Sequence, residues 1–202
     1  MIANIVMVGM DQWEKFTLPA IQSFQRHEPQ ANIVVVDHGK RPYPRLDGVE
    51  IVRLKKPVCY ARALNIGIDR KKADWYFITN NDVICNGKFL SETLDENVIY
   101  ADKVYRHNGE AWFDNCFVLI SNKVWWEVGG FDEAFLMAAF EDADFSFRAQ
   151  ELGYQVAERK MPFTHYEGST RTKMSGYSEI RNENFLYLTT KHPKRRIHDF
   201  IR

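Results

Sequence analysis

The chain has 202 residues, of which 45% are hydrophobic and 27% are charged. This length predicts one compact domain with a sizeable core, or one domain with a modest extension, and the composition argues against a disordered, collagen-like or coiled-coil protein over most of the length. The 27 basic and 27 acidic residues cancel, which excludes a uniformly basic nucleic-acid-binding surface. Residues 171–202 nevertheless contain eight basic and three acidic residues, so any contact with a polyanion is expected near the C-terminus.

The cysteine content and the N-terminus bear on cellular location. Cys59, Cys85 and Cys116 lie far apart, and an odd number of cysteines without a C-x-x-C pair is a poor disulfide framework. No apolar segment approaches the roughly 20 residues that a membrane-spanning helix needs, and the N-terminus lacks the basic segment of a secretion signal. The sequence therefore predicts a cytoplasmic protein without a membrane span.

The first 82 residues alternate between strand and helix patterns. Apolar, β-branched runs predict strands at Ala3–Met10, Asn32–Val36, Val49–Arg53 and Trp75–Thr79. Helical spacing predicts one helix capped by Thr17 and another over Tyr60–Asp69. This βαβ alternation predicts an α/β fold with a Rossmann-like, mostly parallel central sheet flanked by helices, whose nucleotide-binding half spans about residues 1–82.

The second half, about residues 83–190, is expected to complete the same single domain with a smaller portion. Helices are predicted near Lys88–Leu94, at Lys123–Val128, from Glu141 and from a Ser178 cap, and strands near Phe117–Ser121, Gln155–Glu158 and Phe163–His165. Pro193 ends the last helix. Residues 191–202 are therefore expected to form a basic tail, with Lys194, Arg195 and Arg196 free to contact solvent or an anionic partner.

Two acidic residues follow predicted strands, where ligands collect in open α/β sheets. Asp37 and Asp82 both occupy such strand ends, which favours a binding site. The alternative for either residue alone is a cap on a turn or helix. Neither G-x-G-x-x-G nor G-x-x-x-x-G-K-[ST] follows the first strand, which argues against dinucleotide redox chemistry and P-loop hydrolysis.

The densest group of polar signals is Gly129–Glu133 followed by Glu141, Asp142 and Asp144. Like charges this close raise the proton affinity of a carboxylate, which suits a general base. The alternative is that these acids compensate a helix dipole and that Asp144 pairs with Arg148 one turn later. Asp144 is expected to belong to that structural account.

Six segments, in this order, resemble the motifs of glycosyltransferase family 2. They are Val34–Asp37, Ala61–Gly67, Asn80–Asp82, Val128–Glu133, Glu141–Asp144 and His165–Ser169. The resemblance extends from about Asn4 to Ser169 and implies the GT-A fold, with a second half that binds the acceptor and carries out catalysis. It also implies an enzyme that transfers a sugar from a nucleotide-diphosphate sugar, which we expect to be a UDP-sugar, with inversion of the anomeric carbon.

The resemblance also implies roles for individual residues. Asp37 would bind the base and Arg62 would lie near the nucleotide. The Asn80–Asp82 segment would bind ribose through Asn80 and Asn81 and a divalent metal, Mn²⁺ or Mg²⁺, through Asp82. His165 would help to hold that metal or the diphosphate, and Asp142, or its neighbour Glu141, would be the general base.

Further candidates come from the residues themselves. Arg171 and Lys173 lie in a glycine- and hydroxyl-rich segment suited to closing over a diphosphate, although it is alternatively a plain surface connection. Trp112 is a candidate for contact with the acceptor, whereas Trp125 and Trp126 are expected to be core or helix-packing residues.

The sequence departs from the family pattern at the metal motif, where Asn80 replaces an acid. This substitution favours a rival interpretation, a GT-A protein that binds a nucleotide or a partner with little or no catalysis. The acceptor also stays open, because a glycan, a lipid-linked sugar, a protein or a hydroxylated DNA base would be recognised by loops without a sequence code. The oligomeric state is open as well.

Overall fold

A computed structural model describes residues 1–90, 93–166 and 176–195. The strands are β1 Ala3–Gly9, β2 Asn32–Asp37, β3 Val49–Arg53, β4 Trp75–Asn80, β5 Val83–Cys85, β6 Val98–Ala101, β7 Val104–His107, β8 Glu110–Phe113, β9 Phe117–Ser121, β10 Gln155–Glu158 and β11 Phe163–His165. The helices are α1 Leu18–His27, α2 Tyr60–Asp69, α3 Asn122–Val128, α4 Glu141–Glu151 and α5 Tyr177–Lys191, and a π-helical turn over Trp13–Thr17 leads into α1.

Seven strands form the central sheet, in the order β10-β6-β9-β4-β1-β2-β3. All neighbours pair in parallel except β9, which is antiparallel to both β4 and β6. The strands β5 and β11 form a small antiparallel sheet, and β7 and β8 form another. The predicted α/β class with a mostly parallel sheet flanked by helices is therefore confirmed.

The two faces of the sheet are covered by different helices. Every residue of β1 is buried, and alternate side chains enter different clusters. Val6 and Val8 pack with apolar residues of α2, α3 and α4. Ile5 and Met7 pack on the opposite face with α1. This double burial explains why β1 and β2 are continuous apolar runs.

Gly67 allows α2 to approach the sheet closely. A Cβ atom at this position would lie 2.6 Å from Cγ1 of Val6 and 2.8 Å from Cγ2 of Val36, distances that side chains do not tolerate. The glycine in the middle of a helix, which weakens helix formation by about 1 kcal/mol relative to alanine, is thus explained by packing.

Sequence patterns failed between residues 83 and 113. The expected helix at Lys88–Leu94 is wrong for the described residues 88–90 and 93–94, which are not helical. Instead, the amides of Phe89 and Leu90 donate to Oε1 of Glu28 at 2.6 and 3.0 Å, and Phe89 is buried among aromatic rings. The short strands β5 to β8 carried no recognisable pattern, because only three or four residues contribute to each.

The C-terminal helix α5 packs on α4 through a buried ionic cluster. Asp144, fully buried, accepts from Arg148 Nε at 2.8 Å and from His192 Nε2 at 2.8 Å, and pairs with Lys191 Nζ at 2.7 Å. The expected Asp144–Arg148 pair is confirmed. Burial alone would raise the pKa of Asp144, but the hydrogen bonds from His192 and Lys191 and the positive charges of Arg148 and Lys191 outweigh it and lower the pKa to about 2.

Two expectations about the C-terminal region are wrong. The prediction of a free Arg195 fails, because its guanidinium pairs with Glu110 at 2.6 Å and donates to the carbonyl of Phe147 at 3.0 Å. Arg196 lies outside the described residues. The N-cap of α5 is Gly176, with a left-handed φ of 76°, and not Ser178. The described helices include none that is long and apolar enough to cross a bilayer.

Replacing Asp144 with asparagine should lower stability in a pH-dependent way. The ordinary aspartate pKa is 3.8 and the folded value is about 2, so the carboxylate adds roughly 2 kcal/mol that is present at neutral pH. This contribution is lost as the pH falls from about 4 to 2. Urea unfolding at pH 7 and pH 2.5 should therefore show a gap between wild type and Asp144→Asn that shrinks in acid.

The exposed Glu183 on α5 provides the matched control. The Glu183→Gln variant removes one exposed carboxylate from the helix that packs on α4 and should unfold like the wild type at both pH values. A gap for Asp144→Asn that is equally large at pH 2.5 would contradict the assigned pKa.

Candidate functional site

The strand register brings the predicted strand-end residues to one edge of the sheet. Gly9 at the end of β1 is level with Asp37 at the end of β2, and Val8 is level with Asn80 at the end of β4. The chain order reverses at β1, which has β2 on one side and β4 on the other. This crevice at the carboxyl ends is where open α/β sheets bind ligands.

Asp37 is completely buried and holds the segment after β2. Its carboxylate accepts hydrogen bonds from the amide of Gly39 at 3.0 Å, the amide of Tyr43 at 2.8 Å and the guanidinium of Arg53 at 2.8 Å. The Arg53 contact follows from the register, since Asp37 and Arg53 are neighbours across β2 and β3. The role of Asp37 seen here is to shape the crevice wall, and base binding stays a prediction.

The segments after β1 and β2 are tied together. Oδ1 of Asp11 accepts from the amide of Lys40 at 2.8 Å, and the hydroxyl of Tyr43 donates to the carbonyl of Asp11 at 2.6 Å. Between them, His38 is buried, and this burial lowers the pKa of its imidazole. Nδ1 of His38 is buried without a hydrogen-bond partner among the described residues. A buried ring nitrogen of this kind can bind a donor from a ligand.

Asn80 and Asn81 are both engaged in side-chain hydrogen bonds. Oδ1 of Asn80 accepts from the Tyr60 hydroxyl at 2.8 Å, and its Nδ2 donates to Sγ of Cys116 at 3.2 Å. Nδ2 of Asn81 donates to Oγ1 of Thr17 at 2.8 Å. Thr17 occupies the N-cap position of α1, as the sequence predicts, but its side chain makes no capping hydrogen bond and instead holds the segment after β4.

Asp82 and His165, the two predicted metal ligands, are adjacent. Nε2 of His165 lies 3.2 Å from Oδ1 of Asp82, because β11 pairs with β5 directly after the Asn80–Asp82 segment. Phe117 supports the imidazole edge-on, with ring centroids 5.7 Å apart. A carboxylate beside an imidazole provides two ligands that suit Mn²⁺, and Mg²⁺ through the carboxylate.

The pair on its own is an incomplete metal site. No group of three metal-ligating side chains occurs within residues 1–90, 93–166 and 176–195. A six-coordinate cation bound there would need further ligands, a place that diphosphate oxygens and water can fill. The residues present fit a metal that binds together with a nucleotide.

Glu141 and Asp142 open α4 in different environments. Glu141 is buried, and its carboxylate accepts from Nδ2 of Asn115 at 3.1 Å and from the amide of Ala139 at 2.7 Å. Asp142 is half-buried, and its carboxylate accepts from the amide of Ala143 at 2.8 Å. Asp144 belongs to the structural account that the sequence predicts, because hydrogen bonds from His192 and Lys191 and the charge of Arg148 lower its pKa to about 2. The three acids have separate partners.

Residues from α2 connect the two halves of the site. The Tyr60 hydroxyl reaches Asn80, while the Tyr60 amide donates to the carbonyl of Met137 at 2.5 Å, just before α4. Oδ1 of Asn65 accepts from the amide of Phe131, and its Nδ2 donates to the carbonyl of the same residue at 2.9 Å. The helix therefore fixes the segment before α4 relative to the end of β4.

The remaining predicted residues have diverse positions. Arg62 is exposed, with its guanidinium 3.7 Å from Glu133. Arg171 and Lys173 lie outside the described residues. Trp125 is buried, as expected, whereas Trp126 is 52% exposed and therefore not a core residue, and its Nε1 donates to Oδ1 of Asn122 one turn earlier on α3. Trp112 is half-buried and stacks on Tyr105 at 5.6 Å.

Several residues of the site were missed by sequence reasoning. They are Thr17, Tyr43, Arg53, Tyr60 and Asn115, each of which contacts a predicted site residue. The strand register could have identified Arg53, because it lies opposite Asp37. The other four residues are brought to the site by tertiary packing, which a single sequence does not reveal.

No protein-family model matches the sequence, and no curated protein matches it. Among solved structures, the chain is similar to GalNAc-T7 with UDP, GalNAc and Mn²⁺, at a TM-score of 0.68 and 11% identity over 98% of this chain and 52% of that one. It is also similar to the mannosyltransferase PcManGT from Pyrobaculum calidifontis in complex with GDP-Man and Mn²⁺, at a TM-score of 0.66 and 13% identity over 96% and 64%. S. aureus TarS gives a TM-score of 0.69 and 12% identity over 98% and 41%.

These likenesses establish the GT-A glycosyltransferase fold that the sequence predicts. The chain covers about half of the length of GalNAc-T7 and less of TarS. The part of the chain that the structure describes thus shares its fold with longer glycosyltransferases.

Replacing Arg53 with methionine should lower the free energy of unfolding by about 1–3 kcal/mol, because Asp37 would lose its charged partner while buried. The Arg70→Met variant is the control. Arg70 pairs with Glu50 at 2.7 Å across neighbouring elements, but both side chains are more than a third exposed, so a loss of at most about 1 kcal/mol is expected. Urea denaturation of both variants measures the difference, and equal losses would contradict a structural role of Asp37.

Proposed function

We propose that the protein is a metal-assisted, inverting glycosyltransferase that uses a nucleotide-diphosphate sugar, with a UDP-sugar as the expected donor. The Asp82–His165 pair carries the proposal, because it lies directly after β4 at the switch point of a GT-A sheet. Nucleotides and Mn²⁺ occur in the similar structures of GalNAc-T7 and PcManGT.

Donor binding is assigned to the edge of the sheet. Asp37 would contact the base, and Asn80 and Asn81 the ribose. Arg62 would lie near the nucleotide, while Arg171 and Lys173 would contact the diphosphate. Asp37 would contribute mainly by holding the segment after β2 in place, because its carboxylate already accepts hydrogen bonds from Gly39, Tyr43 and Arg53. Nδ1 of His38 has no hydrogen-bond partner among the described residues, so a polar group of the nucleotide could bond to it.

Asp82 and His165 would hold Mn²⁺ or Mg²⁺. Such a cation, when bound, stabilises the negative charge that develops on the departing diphosphate. The protein residues around it have separate tasks. Phe117 keeps the imidazole in place, and the amide of Tyr166 donates to the carbonyl of Asp82 at 2.9 Å, which fixes the backbone beside the carboxylate.

Asp142 is proposed as the general base. The acceptor hydroxyl oxygen forms a bond to the anomeric carbon while the bond from that carbon to the diphosphate oxygen breaks, and the hydroxyl proton passes to the Asp142 carboxylate. One direct displacement of this kind inverts the anomeric centre. Glu141 is less suited to be the base, because it is buried and accepts two structural hydrogen bonds.

A second candidate function is nucleotide binding with little or no catalysis. Asn80 favours it, because it replaces an acid and both polar atoms of its side chain already bond to Tyr60 and Cys116. Binding of UDP without hydrolysis of any donor would support this candidate over the first.

The acceptor remains to be identified. A basic tail that recruits an anionic acceptor such as DNA has less support than the sequence suggested, since Lys191, His192 and Arg195 bond to acidic residues of the domain. Lys194 is exposed.

A hydrolysis screen tests the proposed function without knowledge of the acceptor. Water can replace the acceptor hydroxyl, so nucleotide sugars are incubated with the protein in the presence and absence of Mn²⁺. Release of the nucleoside diphosphate from one donor, dependent on Mn²⁺, is the expected result. Absence of release from every donor would overturn the enzymatic proposal.

The Asp82→Ala variant should lose the metal-dependent part of UDP affinity while circular dichroism stays unchanged. Calorimetric titration of UDP with and without Mn²⁺ measures this. Asp47→Ala is the control, because Asp47 is exposed next to the start of β3, at the opposite edge of the sheet. An unchanged response of Asp82→Ala to Mn²⁺ would overturn the metal assignment.

The Asp142→Asn variant should lower transfer or hydrolysis by about 10²-fold or more with little change in donor affinity, since a base acts in the transition state. Glu141→Gln is the matched neighbour. It keeps the hydrogen bond from Ala139 and should mainly lower thermal stability. A large loss of activity in Glu141→Gln with near-normal activity in Asp142→Asn would make Glu141 the base.

A further inference from the structure

The segment directly before α4 has an unusual backbone. Met137, Ala139 and Phe140 have positive φ angles of 50°, 109° and 70°, although none of them is glycine. Such conformations are strained and persist only where surrounding contacts hold them. Glu141 and Asp142 follow immediately, so the contacts that hold this segment also set where the first turn of α4 begins.

Asn184, in the middle of α5, supplies those contacts. Its Oδ1 accepts from the amide of Leu136 at 2.8 Å, and its Nδ2 donates to the carbonyl of the same residue at 2.8 Å. Nδ2 also lies 3.4 Å from the carbonyl of Ala138 and 3.2 Å from that of Ala139. The side chain is 1% exposed, so these bonds are made out of water, and losing them would leave buried polar groups unpaired.

Other residues of α5 anchor the same segment on both sides. The Tyr187 hydroxyl and Lys191 Nζ both donate to Oδ2 of Asp132, at 2.8 and 2.6 Å. Lys191 also reaches Asp144, on the second half of the first turn of α4. Asp132 and Asp144 enclose the strained segment and Asp142. The helix α5 therefore bonds to the chain at Asp132, at residues 136–139 and at Asp144, that is, on both sides of the proposed base.

We propose that Asn184 is a positioning residue that holds residues 136–139 and thereby sets the orientation of Asp142. The inference rests on the proposed function for its catalytic consequence. It adds a role for α5, a helix outside the segments that resemble glycosyltransferase family 2. The connection runs through the residue before Asp142, because the carbonyl of Ala139 accepts from Asn184 and its amide donates to Glu141 at 2.7 Å.

Loss of the Asn184 side chain should affect the chemical step more than donor binding. The proposed donor residues Asp37, Asn80 and Asn81 lie at or directly after the ends of β2 and β4, and their hydrogen bonds described above do not involve Asn184. A displacement of about 1 Å at a reacting group can cost about 10²-fold in rate, even when binding is unchanged.

Three variants test this inference. Asn184→Ala removes the contacts, Asn182→Ala removes the same side chain from an exposed position two residues earlier, and Ile99→Val weakens the buried core at β6, away from α5. Each is measured well below its melting temperature. The readouts are kcat on the donor that the wild type hydrolyses fastest, UDP affinity with Mn²⁺, and hydrogen exchange of the amides at 136–141.

Asn184→Ala should lower kcat by about tenfold or more, keep UDP affinity within about twofold, and speed exchange at 136–141 by about tenfold. Asn182→Ala should change none of the three, and Ile99→Val should lower only the melting temperature. A normal kcat in folded Asn184→Ala, or exchange at 136–141 as slow as in the wild type, would overturn the inference. A wild type without hydrolysis of any donor would overturn the proposed function and the catalytic consequence, while exchange would still decide whether Asn184 holds the segment.

Discussion

The parallel, in-register pairing of β1 with both β2 and β4 is the constraint on which the site depends. It puts Asp37 level with Gly9 and Asn80 level with Val8, so residues 43 positions apart in the chain meet at one edge. A shift of one residue in either pairing would reverse the faces of a strand that is buried on both sides. The helix α2 reinforces this arrangement, because Gly67 brings it within contact of Val6 and Val36. The crevice at the strand ends is thus specified by core packing that is remote from any ligand.

A group of neutral polar side chains connects the carboxyl end of β4 to the start of α4, and the candidate site lies between these two elements. Tyr60 bonds both to Asn80 and to the chain before α4, and Asn115 with Cys116 connects Glu141 to Asn80 by a second route. Buried polar networks of this kind rigidify a structure when all members are paired, and they are costly when one member is removed. This explains how Asn80 can remain important for geometry even though its amide replaces an acid.

The elements that were predicted correctly are those whose signals are local. The strands β1, β2 and β4 are buried on two faces and appear as continuous apolar runs, and the helices α2 and α3 carry periodic apolar residues. The pair Asp82–His165 was expected from the family resemblance and lies together in space. The residues that hold Asp37, Asn81 and Glu141 were not predictable, since Tyr43, Thr17 and Asn115 reach them only in the folded chain. The prediction of a helix at Lys88–Leu94 was wrong for a similar reason, because the carboxylate of Glu28 accepts hydrogen bonds from the amides of Phe89 and Leu90.

The three acids that open α4 show how environment separates roles that composition alone presents as equivalent. Asp144 is surrounded by Arg148, Lys191 and His192, and its pKa of about 2 makes it a poor proton acceptor at neutral pH. Glu141 is buried and committed to Asn115 and Ala139. Asp142 is the half-buried member, between two acids whose partners are structural. A general base needs access to its substrate as well as a suitable proton affinity. Under the proposed function, α5 therefore serves catalysis indirectly, because Lys191 pairs with Asp144 and Asn184 holds the strained segment that directly precedes Glu141 and Asp142.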